Sequence, residues 1–159
     1  MAFQTTSLIG AQPVTNVDTV QQFPLGTLIM AQDSTYGQAE FIYLKGVAST
    51  VAGDLVIYDT KLATTVRTVA GSRGPAAVAQ AAVGANQFGW YMIKGSGPIT
   101  AGTVAAGGPV YVTATPGSTD DAVVATDKVD GIRYKTADGT PVAGQAVVQL
   151  DRPVLNGNG

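Results

Sequence analysis

The chain has 159 residues, a length that suits one domain, with or without an arm, and that buries roughly two-thirds of the unfolded surface. Ala, Val, Gly and Thr fill more than half of the positions and charged residues only 13%, a small-residue alphabet that leans towards β-structure. Histidine and cysteine are absent, which excludes His-based acid/base chemistry, Cys nucleophiles, disulfides and Cys/His zinc sites, and nine basic against eleven acidic residues, with no Lys/Arg run, leave no nucleic-acid footprint.

From Met1 to Gln22 the text is polar and rich in Thr, Gln and Asn, with isolated apolar residues at Phe3, Leu8, Ile9, Pro13, Val14, Val17 and Val20. It carries no basic n-region followed by an apolar h-region, and no apolar run in the chain approaches the roughly 18 residues of a membrane span, so a soluble chain made in a cytoplasm is expected. Residues 1–23 are read as an extended arm. A helix over Val14–Gln22 competes, but Thr15, Asn16, Asp18 and Thr19 are weak helix formers and apolar residues spaced by three leave only a thin stripe.

After Pro24, short apolar runs alternate with Gly, Pro, Asp and Asn: Thr27–Ala31, Glu40–Lys45, Leu55–Tyr58, Thr65–Val69, Ala76–Val83, Trp90–Lys94, Val110–Thr113, Ala122–Ala125, Gly131–Lys135 and Gln145–Leu150. This spacing predicts an all-β domain over residues 24–153, either a small β-barrel or a jelly-roll-like sandwich. Pro75–Val83 alone has a helix-forming composition, but Gly74 and Gly84 confine it to a length at which a buried strand is the equal alternative. Phe41–Leu44, Leu55–Tyr58 and Trp90–Ile93 are apolar at both parities. Both of their faces should therefore be covered, by a partner subunit or by loops and a second sheet of the same chain. Val154-Leu155-Asn156-Gly157-Asn158-Gly159 reads as a strand exit and a flexible tail, 154–159.

Phe41-Ile42-Tyr43-Leu44-Lys45-Gly46 is echoed by Trp90-Tyr91-Met92-Ile93-Lys94-Gly95, Ala48–Ala52 by Ala101–Ala105, and Ile57–Thr60 by Val110–Thr113. The echo predicts an internal duplication of 41–60 in 90–113, with Phe41, Tyr58, Trp90 and Tyr111 as core anchors.

Candidates for chemistry are few. Gly71-Ser72-Arg73-Gly74 could cradle an anion but fits no phosphate-loop or dinucleotide pattern, and a surface turn is the simpler reading. Asp120, Asp121, Asp127 and Asp130 could offer oxygen ligands to calcium, without the spacing of an EF-hand or its closing glutamate. Glu40 is the one glutamate, so no Glu pair is available for glycoside hydrolysis, and Asp138-Gly139-Thr140-Pro141 reads as a tight turn. No catalytic, cofactor or metal site is assigned, and an enzyme is not expected.

Glu40–Val47, Ala52–Val56, Val69–Pro75, Gln87–Tyr91, Lys128–Gly131, Thr136–Thr140 and Val147–Pro153 resemble the decoration, or cement, proteins of tailed-bacteriophage heads. That resemblance spans Pro24 to Pro153 and rests on Gly-punctuated strand edges. It implies a non-enzymatic, β-rich structural protein on the outside of an assembled capsid, made in the host cytoplasm and bridging neighbouring major capsid protein subunits. It also implies a homo-oligomer, a trimer before a dimer, with neither nucleic acid nor membrane as a partner. On this reading Phe3, Leu8, Ile9 and Val14 of the arm make the contact by strand addition, and Arg152 joins an acid across an interface. The equal alternative packs the arm on its own protein or a sister subunit. A receptor- or carbohydrate-binding β-module is the second functional class. It needs exposed aromatic platforms, whereas Trp90 lies within an apolar run.

Overall fold

Gly, Pro and Asp punctuation cuts the chain into twelve strands, and the computed structural model describes them within residues 12–157, together with the backbone of Gln4–Thr5. They are β1 (Gln4–Thr5), β2 (Val17–Asp18), β3 (Leu28–Asp33), β4 (Gly37–Lys45), β5 (Leu55–Tyr58), β6 (Thr65–Arg67), β7 (Gly74–Ala79), β8 (Phe88–Thr100), β9 (Pro109–Val112), β10 (Thr119–Asp120), β11 (Lys128–Tyr134) and β12 (Gln145–Leu155). The fold is all-β: every ladder is antiparallel, and the main path of the sheet runs β1-β3-β4-β8-β7-β12-β11-β9-β10. Single parallel bridges, Lys45 to Thr64 and Ala101 to Thr119, bring β6 back beside β4 and β10 back beside the end of β8.

Three expectations need correction. Ala122–Ala125 is an exposed turn, because the Asp120 carboxylate accepts the Ala122 N–H and bends the chain just after β10. The alanine-rich run becomes strand β7 and stops at Ala79. Val154 and Leu155 are not tail: Val154 pairs with both Asp130 and Pro75, and Leu155 is buried.

Strand β8 outruns the Trp90–Lys94 segment because Gly95 allows a bend there. At its φ of +112° a side chain is strained, and a Cβ would lie 2.9 Å from the backbone of Ala39. The first half of β8 pairs with β4 (Phe41 with Met92, Ile42 with Tyr91, Tyr43 with Trp90) and the second half with β12.

The echoed segments of β4 and β8 are thus cross-strand partners. Of the ladders that follow, β5 on β7 and β9 on β11 keep the echoed register, with Ile57 paired to Ala76 and its echo Val110 to Val129. The hairpins do not, since Tyr58 pairs with Thr65 and its echo Tyr111 with Asp120. Ile57 and its echo Val110 both face the larger cluster, with Leu55 beside the first and Val112 beside the second.

Both faces of β4 and β8 are covered by the chain itself. Phe41, Tyr43, Trp90 and Met92 enter the larger cluster, while Ile42, Leu44, Tyr91 and Ile93 enter a second one with Val56, Ala77 and Ala79. The doubly apolar text therefore needs no partner subunit to explain it.

Candidate interaction surface

The segment after the first eleven residues is fixed to its own domain. Val17 and Asp18 pair with Gly89 and Phe88, at a point where a Cβ on Gly89 would sit 2.5 Å from Val83 Cγ2. Above it, Phe23 packs on Tyr43 and Trp90 with ring centroids 5.3 Å from each. The Tyr43 hydroxyl donates to Asp18 Oδ2 (2.6 Å) and accepts from Gln22 N (3.3 Å), and Gln12 Nε2 donates to the same Asp18 oxygen (2.6 Å). Burial, then the Asp18 hydrogen bond, pushes the Tyr43 phenol up to about 12.

Val14, expected as a contact residue of the arm, is 1% exposed within the domain's own core. That expectation is corrected: an apolar residue this close to an aromatic cluster is buried there rather than offered to a neighbour. Phe3, Leu8 and Ile9 lie outside the described residues. Tyr43→Phe is expected to cost about 1–2 kcal/mol and to accelerate amide exchange over 12–22. Unchanged exchange would mean that the phenol does not hold this segment.

Phe41 and Trp90 are buried in the larger cluster and Tyr111 is buried in β9, whereas Tyr58 is half-buried at the margin of the second cluster. Trp90 is 0% exposed and offers no aromatic platform. Arg152 is exposed, and its Nη2 donates to Glu40 Oε1 of the same chain (3.2 Å). The acid proposed for it across an interface is thus met within the chain.

The acids singled out from the sequence work separately, chiefly as acceptors for turn N–H groups. Asp121 takes the Ala105 N–H, Asp127 the Gly71 N–H and Asp138 the Val104 N–H, and Asp130 lies 4.0 Å from Lys128 Nζ. Among the described residues no three carboxylates converge on one point. The Gly71–Gly74 segment is a turn closed by Ser72 N–H donating to Val69 O.

What the sheet leaves uncovered is the outer side of β3, β12 and β11, joined through Glu40 of β4 and Lys94 of β8 where these strands run beyond the second cluster. Alternation sends Leu28, Met30 and Gln32 outward from β3. Register then lines up Met30, Glu40, Lys94 and Asp151 across four strands, and Ser96, Gln149 and Arg133 in a neighbouring row. Two shallow grooves mark this face. One, of about 450 Å³, is flanked by Arg133, Lys135, Gln149 and Asp151; the other, of about 220 Å³, by Met30, Gln38, Glu40 and Lys94.

Sequence reasoning passed over Lys94, Arg133, Lys135, Gln149 and Asp151. The signal for the last four was present in the strict alternation of Ile132-Arg133-Tyr134-Lys135 and Val148-Gln149-Leu150-Asp151, the pattern of strands with one wet face, whereas Lys94 follows a run apolar at both parities. No protein-family model matches this sequence, and no curated protein matches it.

Proposed function

We propose that this chain is a non-enzymatic structural protein of a tailed-phage head, bound to the outside of the assembled shell and bridging neighbouring major capsid protein subunits. The observation that carries the reading is the uncovered face that runs from β3 through Glu40 and Lys94 to β12 and β11. It is broad, shallow and held on a hydrogen-bonded scaffold, a shape suited to a large partner surface more than to an enclosed small molecule. The partner's identity comes from the resemblance of residues 24–153 to capsid decoration proteins. A homo-oligomer, a trimer before a dimer, would present several copies of one face, and multivalency would then make release slow even if each contact is weak. Gln4 and Thr5 pair with β3 of their own chain, so strand addition to a neighbour would use the outer edge of β1, which ends the path of the sheet.

Mixing the purified protein with undecorated phage shells and sedimenting them tests the reading. The chain is expected to pellet with shells to a saturating copy number and to raise their melting temperature. Protein left in the supernatant at every concentration, with shells unchanged in stability, would reject it.

A further inference from the structure

We infer that the outer face of β8, β12 and β11 docks on an acidic patch of a folded protein surface. This rests on the reading of the chain as a shell-binding protein and specifies the chemistry of the surface it meets.

The chain carries a net charge of −2, yet five of its nine cations stand on or beside this face: Lys94, Lys128, Arg133, Lys135 and Arg152. Only Glu40, Asp130 and Asp151 of its eleven acids accompany them. The face therefore carries a formal charge of +2 (five cations less three acids) while the rest of the chain carries −4 (four less eight), which favours an acidic partner and one orientation of approach.

The bulge at Gly131 builds this concentration. Its φ of +79° and its approach to Asp151 O, 2.7 Å from where a Cβ would stand, favour glycine. The extra residue keeps Asp130 on the outward side before the bulge and Arg133 and Lys135 outward after it, while Val129, Ile132 and Tyr134 all stay buried.

Among the described residues no carboxylate pairs with Arg133 or Lys135. Arg133 Nη1 donates to Gly107 O (2.8 Å), and Lys135 Nζ donates to Ser96 Oγ (3.3 Å), whose hydroxyl donates to Gln149 Oε1 (2.7 Å). Their charge is thus positioned but not neutralised. The pairs on this face, Lys94 with Asp151 at 3.8 Å, Lys128 with Asp130 at 4.0 Å and Arg152 with the half-buried Glu40 at 3.2 Å, keep their cations exposed and re-form with a partner at little cost.

The interleaved acids Glu40, Asp130 and Asp151 would repel a continuous phosphate chain, whereas a protein surface of mixed charge can match both signs. Leu28 and Met30, 47% and 43% exposed, add apolar contact along the same face.

The test uses the full chain, with poly-L-glutamate, double-stranded DNA and undecorated shells as probes. Lys94→Glu/Arg133→Glu/Lys135→Glu is compared with wild type and with Lys45→Glu/Lys61→Glu, whose lysines lie off the face; circular dichroism and melting verify folding. Expected are binding of poly-L-glutamate that falls steeply between low and high salt, at least a tenfold loss in the triple variant for both poly-L-glutamate and shells, and less than a twofold change in the double variant. A triple variant that is folded and binds shells like wild type would overturn the inference while leaving the shell-binding reading intact. Tighter binding to DNA than to poly-L-glutamate would also overturn it, in favour of a nucleic-acid partner. Poly-L-glutamate binding with no binding to any shell would reject the shell reading and keep the face as an acid-binding surface.

Discussion

Trp90→Ala is expected to destabilise the protein by about 4 kcal/mol, near the upper end for truncating a core aromatic. The indole is fully buried, pairs across β4 and β8 with Tyr43 at a centroid distance of 4.9 Å, and carries Phe23 on its other side at 5.3 Å. Its removal opens a void between the central strands and the segment that contains Val14, so both the sheet and the docking of residues 12–23 suffer. Trp90→Phe separates packing from hydrogen bonding, because Nε1 has no acceptor among the described residues. That variant forfeits ring volume alone and should cost about 1–2 kcal/mol. Since the chain has one tryptophan, urea unfolding is followed by far-ultraviolet circular dichroism. A loss below about 1 kcal/mol for the alanine variant would contradict this account of the aromatic cluster.

The second large effect is expected at Asp54, whose side chain is 1% exposed. Its Oδ2 accepts from Arg67 Nε at 2.7 Å and from Val51 N at 3.0 Å, while Arg67 Nη2 donates to Pro116 O at 2.9 Å. Gly117 presses against the carboxylate at a φ of +76°, where a Cβ would come within 2.5 Å of Asp54 Cγ. One ion pair therefore ties the turn before β5 to β6 and to the loop between β9 and β10. Asp54→Ala leaves the guanidinium and the Val51 N–H without their acceptor, and about 3 kcal/mol should be lost. Asp54→Asn keeps the shape and tests the charge, with a smaller expected loss of about 2 kcal/mol. Urea titration reads both; an alanine variant within about 1 kcal/mol of wild type would show that the pair does not hold these segments together.

Much of the strand pattern was legible because its determinants are local. Leu55–Tyr58 forms β5 with the expected limits, and Glu40–Lys45 and Gln145–Leu150 lie inside longer strands. What failed depended on contacts distant in sequence. The continuation of β8 to Thr100 relies on β12 arriving from some fifty residues downstream, with Lys94 paired to Asp151 and Thr100 to Gln145. The coverage of β4 and β8 by their own chain relies on β5 and β7 closing over one side, which apolar text at both parities cannot distinguish from coverage by a partner.

The candidate face was harder to find for a related reason. Its cations are spread over Lys94 of β8, Lys128 and Arg133 of β11, Lys135 just after it and Arg152 of β12, so no charge run appears in the sequence, and only register brings these strands side by side. Val14 shows the converse. Its isolation in polar text suggested an exposed contact, but the turn closed by Asn16 N–H donating to Pro13 O, followed by pairing of Val17 with Gly89, carries it into the core.

Image reconstruction of shells sedimented with the protein tests the central claim most directly. Extra density is predicted on the exterior only, fitted by this all-β fold with the outer face of β8, β12 and β11 turned towards the shell and Arg133 and Lys135 near acidic side chains of the capsid protein. Shells without added density, or with the protein bound so that this face points to solvent, would contradict it.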